Sequence, residues 1–113
     1  YSSLFDCISA STLDVGENIS PSTFHLYQNH PNPFNPSTQI NYQLSKNSHI
    51  KIEVYDMMGK LVKTLVNEFQ PPGYRSIKWN GQNFENQKVS SGVYFYSLQS
   101  ESFSATKKMI LLD

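Results

Sequence analysis

The sequence predicts an all-β fold, an Ig-like antiparallel β-sandwich of about seven strands. Among its 113 residues, 13% are aromatic and only 16% are charged, a composition that suits half-buried pleated surfaces. From Thr23 onward, short apolar stretches are separated by clusters of Gly, Pro, Asn and Ser, at the spacing typical of a sandwich or barrel. The connections are irregular in length, which favours a sandwich over a small barrel.

The first 22 residues are rich in Ser and Thr, have no sustained period and end in a Ser-Pro turn signal. We therefore expect residues 1–22 to be a linker or the tail of a preceding domain, and residues 23–113 to form the domain. A second interpretation stays open, because the apolar patch at Leu4, Phe5 and Ile8 could add an edge strand to the sandwich.

Cys7 is the single cysteine, so an internal disulfide or a multi-thiol metal site is not possible. We expect Cys7 to be a free thiol in the linker, with a reactive thiol or a bridge to a segment outside this sequence as alternatives. The sequence starts at Tyr1 rather than Met, which suggests that it is a piece of a larger protein.

The first predicted strand has Phe24, Leu26 and Gln28 on one face. The segment HPNPFNPST follows and contains three prolines within six residues. Each proline restricts φ and lacks a backbone donor, so the segment cannot be a central strand. It is expected to be a rigid, extended loop.

The next two predicted strands alternate strictly between apolar and polar residues. Residues 40–44 have Ile, Tyr and Leu at every second position, and residues 50–54 have Ile, Ile and Val. The turn at residues 45–48 separates them, so we expect the two strands to pair as a hairpin. Asp56 and Gly59 then bracket a tight turn, because a carboxylate can accept backbone N–H groups and Gly tolerates positive φ. KLVKTLV follows as a strand or a short helical turn.

The second half of the sequence predicts three further strands. Pro71, Pro72 and Gly73 form a turn that leads into a strand in which Ile77 and Trp79 share a face. The polar stretch NGQNFENQ is a loop. Residues 93–96 are apolar on both faces, which is typical of a central strand, and residues 103–112 form the last strand.

Charge and hydrophobicity exclude two classes of partner. Basic and acidic residues are equal at 9 each, so no positive surplus is available to attract nucleic acid. No apolar run approaches the roughly 18 residues that span a bilayer, and no basic-then-apolar pattern resembles a signal peptide.

Residues that could support catalysis or bind a metal are dispersed. His25, His30 and His49 lie near predicted turns, and no Ser occupies a G-x-S-x-G elbow. The spacing of His25 and His30 places them on opposite faces of a strand, which is unsuitable for zinc. The loop at residues 80–86 has Glu85 as its only carboxylate, so an Asn-rich turn is favoured over a calcium site. We expect no enzyme activity, no metal and no cofactor.

Aromatic residues suggest a carbohydrate-binding platform as an alternative function. Exposed rings stack on sugar rings, and Tyr55, Trp79, Tyr94 and Tyr96 are the candidates. A single Trp in phase with an apolar neighbour is, however, more typical of a core.

Three motifs in order resemble the C-terminal sorting domains of the type IX secretion system, in the subgroup similar to the Ig-like domain of flagellar hook-capping proteins. LYQNHPNPFNPSTQINYQL has the opening Asn-Pro-Phe-Asn-Pro loop before an alternating strand, and VYDMMGKLVKTL has the middle Tyr-Asp-x-x-Gly-Lys pattern. VSSGVYFYSLQSESFSATKKMILLD has the closing Ser-Gly-Val-Tyr and the terminal strand. The resemblance spans residues 24–112.

The resemblance implies a non-catalytic module of a larger secreted bacterial protein, which folds behind an N-terminal cargo domain. It further implies passage through the periplasm, recognition by an outer-membrane translocon, and cleavage or attachment by sortase-like machinery at the cell surface. The implied recognition residues are Pro31, Asn32, Pro33, Asp56, Gly59, Lys60, Gly92, Tyr94, Lys107, Lys108, Ile110, Leu111 and Leu112. Three positions depart from the family pattern: Asn80 stands where Asp is common after Trp, Asn86-Gln87 where Gly is usual, and Asp113 where a basic residue is frequent.

Two rival functions remain at this point. One is a carbohydrate-binding or adhesive accessory module of a secreted hydrolase, and the other is a purely structural spacer.

Overall fold

The computed structural model describes residues 21–112, which form seven strands and no helix. The predicted all-β sandwich is therefore confirmed. The expectations for Leu4, Phe5, Cys7 and Ile8 lie outside the described residues. The strands are β1 (His25–Leu26), β2 (Thr38–Leu44), β3 (Ser48–Asp56), β4 (Leu61–Gln70), β5 (Gly73–Trp79), β6 (Gly92–Gln99) and β7 (Ser104–Leu111).

The strands form two antiparallel sheets that pack face to face. One sheet has three strands in the order β1-β2-β5, and the other has four in the order β4-β3-β6-β7. Strand β6 lies between β3 and β7, so the prediction that residues 93–96 belong to a central strand is confirmed. Segment KLVKTLV belongs to strand β4 from Leu61 onward and not to a helical turn.

The predicted hairpin between the second and third strands is wrong. Strand β2 pairs with β1 and β5, whereas β3 pairs with β4 and β6. The connection at residues 45–47 carries the chain from one sheet to the other. Alternating apolar residues show that each strand has one buried face, but two strands that meet across a core have the same pattern as two that share hydrogen bonds.

The core lies between the two sheets and uses the alternating apolar residues of both. Ile40 and Leu44 of β2 and Ile50, Ile52 and Val54 of β3 are all 0% exposed. Burying side chains of this size stabilises the fold by about 1.5–3 kcal/mol each. The predicted shared face of β5 is also confirmed, with Trp79 buried and Ile77 packed against the core.

Strand β4 is an edge strand whose pairing with β3 is interrupted twice. The register shifts between Ile52 and Glu53 and again between Val54 and Tyr55. Such bulges bend a strand and increase its twist, and they hinder the addition of a further chain at the edge.

The segment that contains β1 changes sheets as it advances. Leu26 is buried and Phe24 stacks on Phe103 with ring centroids 5.6 Å apart, whereas Gln28, expected on the same face, is exposed. His25 and Leu26 pair antiparallel with β2, and Phe34 then pairs parallel with Leu111 of β7. The proline-rich loop therefore spans the gap between the two sheets at one side of the sandwich.

Candidate functional site

The three sequence motifs meet at one end of the sandwich. Asp56 lies opposite Tyr94 in the β3–β6 register, and Tyr94 lies opposite Met109 in the β6–β7 register. Phe34 in turn pairs with Leu111 at the end of β7. We call this region, formed by residues 31–36, 56–60, 80–94 and 110–112, the motif end. Residues as far apart in the sequence as Asn32 and Ile110, 78 positions, thus lie on one continuous surface.

The proline loop binds the outer edge of β7 through its backbone and one side chain. The Ile110 N–H donates to Asn32 Oδ1 at 3.0 Å, and the Phe34 N–H donates to the Ile110 carbonyl at 3.0 Å. The Leu112 N–H donates to the Phe34 carbonyl at 2.8 Å. The loop is outside the regular strands, as predicted, yet it covers the edge of the last strand from Ile110 onward.

Two buried polar residues that the sequence analysis missed hold this loop. Asn29 and Thr38 are 3% and 2% exposed. The Asn29 amide donates to Thr38 Oγ1 at 2.9 Å and to the Pro31 carbonyl at 3.0 Å, and the Thr38 hydroxyl donates to the same carbonyl at 2.8 Å. The Pro31 carbonyl, which has no backbone partner in the proline-rich loop, therefore accepts two side-chain hydrogen bonds. Nothing in the residue types alone distinguishes these residues from surface polar residues.

The Asp-x-x-Gly turn has the predicted structure. Asp56 Oδ1 accepts hydrogen bonds from the N–H groups of Met58 and Lys60, both at 2.9 Å. Gly59 has φ +84°, a conformation that residues with a Cβ rarely adopt. The motif therefore specifies the tight β3–β4 connection at the motif end.

A column of aromatic rings lies beneath the motif end. Trp79 contacts Phe34 with ring centroids 5.7 Å apart and Tyr94 with centroids 5.4 Å apart. The Trp79 indole N–H donates to the Gln82 carbonyl at 2.9 Å, and the Tyr94 hydroxyl donates to the Ser90 carbonyl at 2.6 Å. One residue from each of the opening and closing motifs thus packs against the single Trp.

Three of the four aromatic residues suggested for the alternative carbohydrate platform are buried. Trp79, Tyr94 and Tyr96 are 1%, 5% and 0% exposed, because their rings fill the core between the sheets, and a sugar cannot reach them. Tyr55 alone lies on an outer face, where its hydroxyl donates to Glu53 Oε1 at 2.6 Å. This hydrogen bond raises the pKa of Tyr55.

Tyr96 instead joins the two sheets. Its hydroxyl donates to the Tyr27 carbonyl at 2.7 Å, and burial raises the pKa of Tyr96 to about 12. The neutral phenol is therefore retained across the physiological range.

The implied recognition residues divide by exposure. Tyr94 and Leu111 are buried and support the fold. Half-buried residues are Asp56, Gly92, Lys107 and Ile110, and exposed ones are Pro31, Asn32, Pro33, Gly59, Lys60, Lys108 and Leu112. A partner could contact only the second and third groups directly.

A cleft of about 500 Å³ opens beside the Asp-x-x-Gly turn, and its walls include Asp56, Lys60, Phe84 and Lys88. Large apolar side chains are exposed around it: Met57 at 68%, Met58 at 90% and Phe84 at 56%. Exposed Met is adaptable and is frequent at protein-binding surfaces. Within residues 21–112, no three His, Cys, Asp or Glu side chains lie close enough to hold a metal ion.

The loop between β5 and β6 is an Asn-rich turn, as predicted. Asn83 Oδ1 accepts hydrogen bonds from the N–H groups of Glu85 at 2.9 Å and Gln87 at 3.1 Å. Asn86 has φ +61°, a conformation that Gly adopts without strain and that Asn tolerates better than most other residues.

The fold and the site together define the class of protein, which is a small Ig-like β-sandwich domain whose three sequence motifs converge at the motif end. The chain belongs to the family of secretion system C-terminal sorting domains, whose model matches residues 28–112. Domains of this family are sorting signals of the type IX secretion system. No curated protein matches the sequence significantly.

Solved structures share the fold at low sequence identity. Dimeric latent PorU from Porphyromonas gingivalis matches with a TM-score of 0.63 and 22% identity, over 88% of this chain and 10% of that chain. PorZ, a surface component of the type IX secretion system of the same organism, matches at 0.54 and 17%, over 80% and 11%. FlgD from P. aeruginosa matches at 0.53 and 17%, over 81% and 74%. The chain thus spans about a tenth of the first two proteins.

No helix in the described part of the chain is long and apolar enough to cross a membrane.

Proposed function

We propose that this domain directs the protein that carries it, by way of the periplasm, to the type IX translocon for export across the outer membrane. The observation that supports this proposal is the convergence of three separate motifs at the motif end. A translocon that recognised a linear stretch of sequence would not require the motifs to converge. A surface assembled from residues 31–33, 56–60 and 110–112 exists only when the domain is folded, so we propose that the translocon reads the folded domain.

The motif end has the chemistry of a protein-binding surface. Met57, Met58 and Phe84 supply exposed apolar area, while Lys60 and Lys88 supply charge beside it. Central apolar contacts surrounded by polar groups are typical of protein interfaces. The translocon is therefore proposed to contact this end, with the buried Tyr94 and Leu111 acting only through the fold.

We further propose that the domain performs no reaction and that sortase-like machinery at the cell surface cleaves it or attaches the exported protein. The rings of His25 and His49 pack against Tyr27 and Phe69, with centroids 4.3 and 5.2 Å apart. These contacts with aromatic rings, rather than with Ser, Cys or carboxylate groups, suit structural histidines.

A secretion assay tests the export role. The 113-residue chain is fused behind a reporter in a bacterium that has a type IX system, and the reporter is measured in the periplasm, on the cell surface and in the medium. Export that depends on the translocon supports the proposal. A folded fusion that stays in the periplasm contradicts it.

Surface substitutions then test where the signal lies. Met58→Asp and Lys60→Glu alter exposed side chains at the motif end, whereas Lys46→Glu alters an exposed side chain at the opposite end. Export is expected to fall several-fold for the first two variants and to stay unchanged for the third. Equal export by all three folded variants would place recognition elsewhere. Deleting residues 109–113 is less informative, because Met109 and Leu111 are core residues whose loss also disrupts folding.

A further inference from the structure

The outer face of the three-stranded sheet has a shallow trough away from the motif end. Its volume is about 400 Å³, and it is lined by Tyr27, Asn41, Tyr42, Tyr74, Arg75 and Ser76. Tyr74 is 70% exposed and Tyr27 is 40% exposed. We call this region the tyrosine trough. Tyr27 directly follows β1 and Tyr74 belongs to β5, so the two exposed rings lie on either side of β2. Neither ring contributes to the core.

The backbone pairing holds the two rings around the same floor. Tyr74 lies directly opposite Gln43 in the β2–β5 register. On the other side of β2, the Tyr27 N–H donates to the Asn41 carbonyl at 3.0 Å, and the Tyr27 hydroxyl donates to Gln43 Oε1 at 2.5 Å. Because adjacent strands are about 4.8 Å apart, the outer strands that carry the rings are about 10 Å apart. A chain of sugar rings can bridge that span.

The Tyr27 ring, one wall of the tyrosine trough, is preorganised. The Gln43 amide donates to the Thr23 carbonyl at 3.0 Å while its oxygen accepts from Tyr27, so both ends of this side chain are held. Tyr has only two side-chain torsions, and a ring fixed by its hydroxyl loses little entropy when a ligand binds. A ligand would therefore meet the Tyr27 ring already in position.

The chemistry of the lining separates three classes of ligand. Asn41 and Ser76 offer neutral donors and acceptors on the outer face, whereas Arg75 pairs with the buried Tyr42 and so points to the inner face. Nucleic acid is disfavoured, because its binding requires several cations that neutralise phosphates. A protein partner is disfavoured, because β2 presents the amides of Gln39, Asn41 and Gln43 where an interface core would be apolar. Hydroxyl groups of a saccharide fit the amides, and its C–H faces fit the exposed rings.

We propose that the tyrosine trough binds a saccharide chain. Tyr74 and Tyr27 stack on sugar rings, and Asn41 and Ser76 bond to hydroxyl groups. The site is on a different sheet from the rings Trp79, Tyr94 and Tyr96, which are buried. It is independent of the sorting role.

Calorimetric titration of the purified 113-residue chain with cellohexaose, maltohexaose and hexagalacturonate tests the proposal. At least one probe is expected to bind. Tyr74→Ala is expected to weaken that binding about tenfold by removing an exposed ring. Tyr74→Phe keeps the ring and is expected to keep the affinity. Phe69→Ala is the matched control, because Phe69 is 69% exposed on the other sheet and its loss should change nothing.

Chemical-shift mapping with the probe that binds locates the site. Shifts are expected at Tyr27, Asn41 and Ser76, with none at the motif end. The proposal is overturned if none of the three probes binds at millimolar concentration. It is equally overturned if Tyr74→Ala, shown to be folded by circular dichroism, binds as the parent does, or if the shifts map to another face. Failure here leaves export unaffected, since the secretion assay requires no saccharide.

Discussion

Asn32 and Ile110 are 78 positions apart, and the backbone N–H of Ile110 donates to the side-chain Oδ1 of Asn32 at 3.0 Å. This bond ties the opening motif to the terminal strand, and only an acceptor on a short side chain can make it. Asn32→Ala is therefore expected to reduce the free energy of unfolding by about 1 kcal/mol and to speed amide exchange at Ile110.

The control for this prediction is Asn32→Asp, which keeps the oxygen that accepts the bond. Hydrogen exchange measured by NMR distinguishes the two variants. Unchanged exchange at Ile110 in Asn32→Ala would show that the proline loop does not depend on this bond. In the secretion assay, a parallel loss of export in Asn32→Ala alone would link the bond to the signal.

Gly81 and Gly59 provide a second test, because both have positive φ but different surroundings. A Cβ at Gly81 (φ +74°) would lie 3.1 Å from the Pro36 carbonyl oxygen, whereas a Cβ at Gly59 (φ +84°) would meet nothing within 4 Å. Gly59→Ala is expected to cost about 1 kcal/mol from backbone strain alone. Gly81→Ala adds a clash with the proline loop and is expected to cost about 1–2 kcal/mol more. Equal losses in chemical denaturation would contradict the close approach of the two loops.

Asn86 provides a third test, since it is a residue with a Cβ that has a positive φ of +61°. Asn tolerates this conformation better than other residues with a Cβ, and Gly tolerates it without strain. Asn86→Gly is expected to be neutral or to stabilise by a few tenths of a kcal/mol, while Asn86→Ala is expected to destabilise by about 1 kcal/mol. Thermal melts of the three proteins measure the order, and a more stable Ala variant would contradict it.

The fold class was predictable because it depends on local patterns. Period-two alternation at residues 40–44 and 50–54 located β2 and β3, and the prolines excluded a central strand at residues 31–36. The partners of those strands were not predictable from the pattern, since Ile40 and Ile50 are equally buried whether their strands share a sheet or face each other. Sheet membership is determined by long-range packing, and the predicted hairpin was wrong for this reason.

The candidate site was predictable in part. The Asp56–Gly59 turn follows from local chemistry, because its bonds join residues within four positions of each other. The buried pair Asn29 and Thr38 did not follow, since their partner Pro31 becomes their neighbour only when the loop folds back. The aromatic residue type alone does not predict whether a side chain is buried, because Tyr96 is 0% exposed and Tyr74 is 70% exposed. A platform chosen from residue type alone therefore took three of its four rings, Trp79, Tyr94 and Tyr96, from the core.

Tyr96 predicts how stability depends on pH. Its hydroxyl, buried and bonded to the Tyr27 carbonyl at 2.7 Å, has a pKa raised by burial from an ordinary value of 10.0 to about 12. The folded chain therefore holds this proton at a pH where the unfolded chain has released it. The resulting contribution is complete below pH 10 and is lost as the pH rises toward 12, by on the order of 2 kcal/mol.

Tyr96→Phe isolates this contribution. At neutral pH the variant is expected to be less stable by about 1 kcal/mol, because the Tyr27 carbonyl loses its donor. As the pH rises from 10 to 12, the parent should lose stability faster than the variant, so the two denaturation curves converge. The variant should keep a shallower alkaline slope, since burial also raises the pKa of Tyr42 and the hydrogen bond with Glu53 raises that of Tyr55. Urea denaturation at a series of pH values measures both slopes, and parallel slopes would mean that Tyr96 ionises equally readily in the folded and unfolded chains.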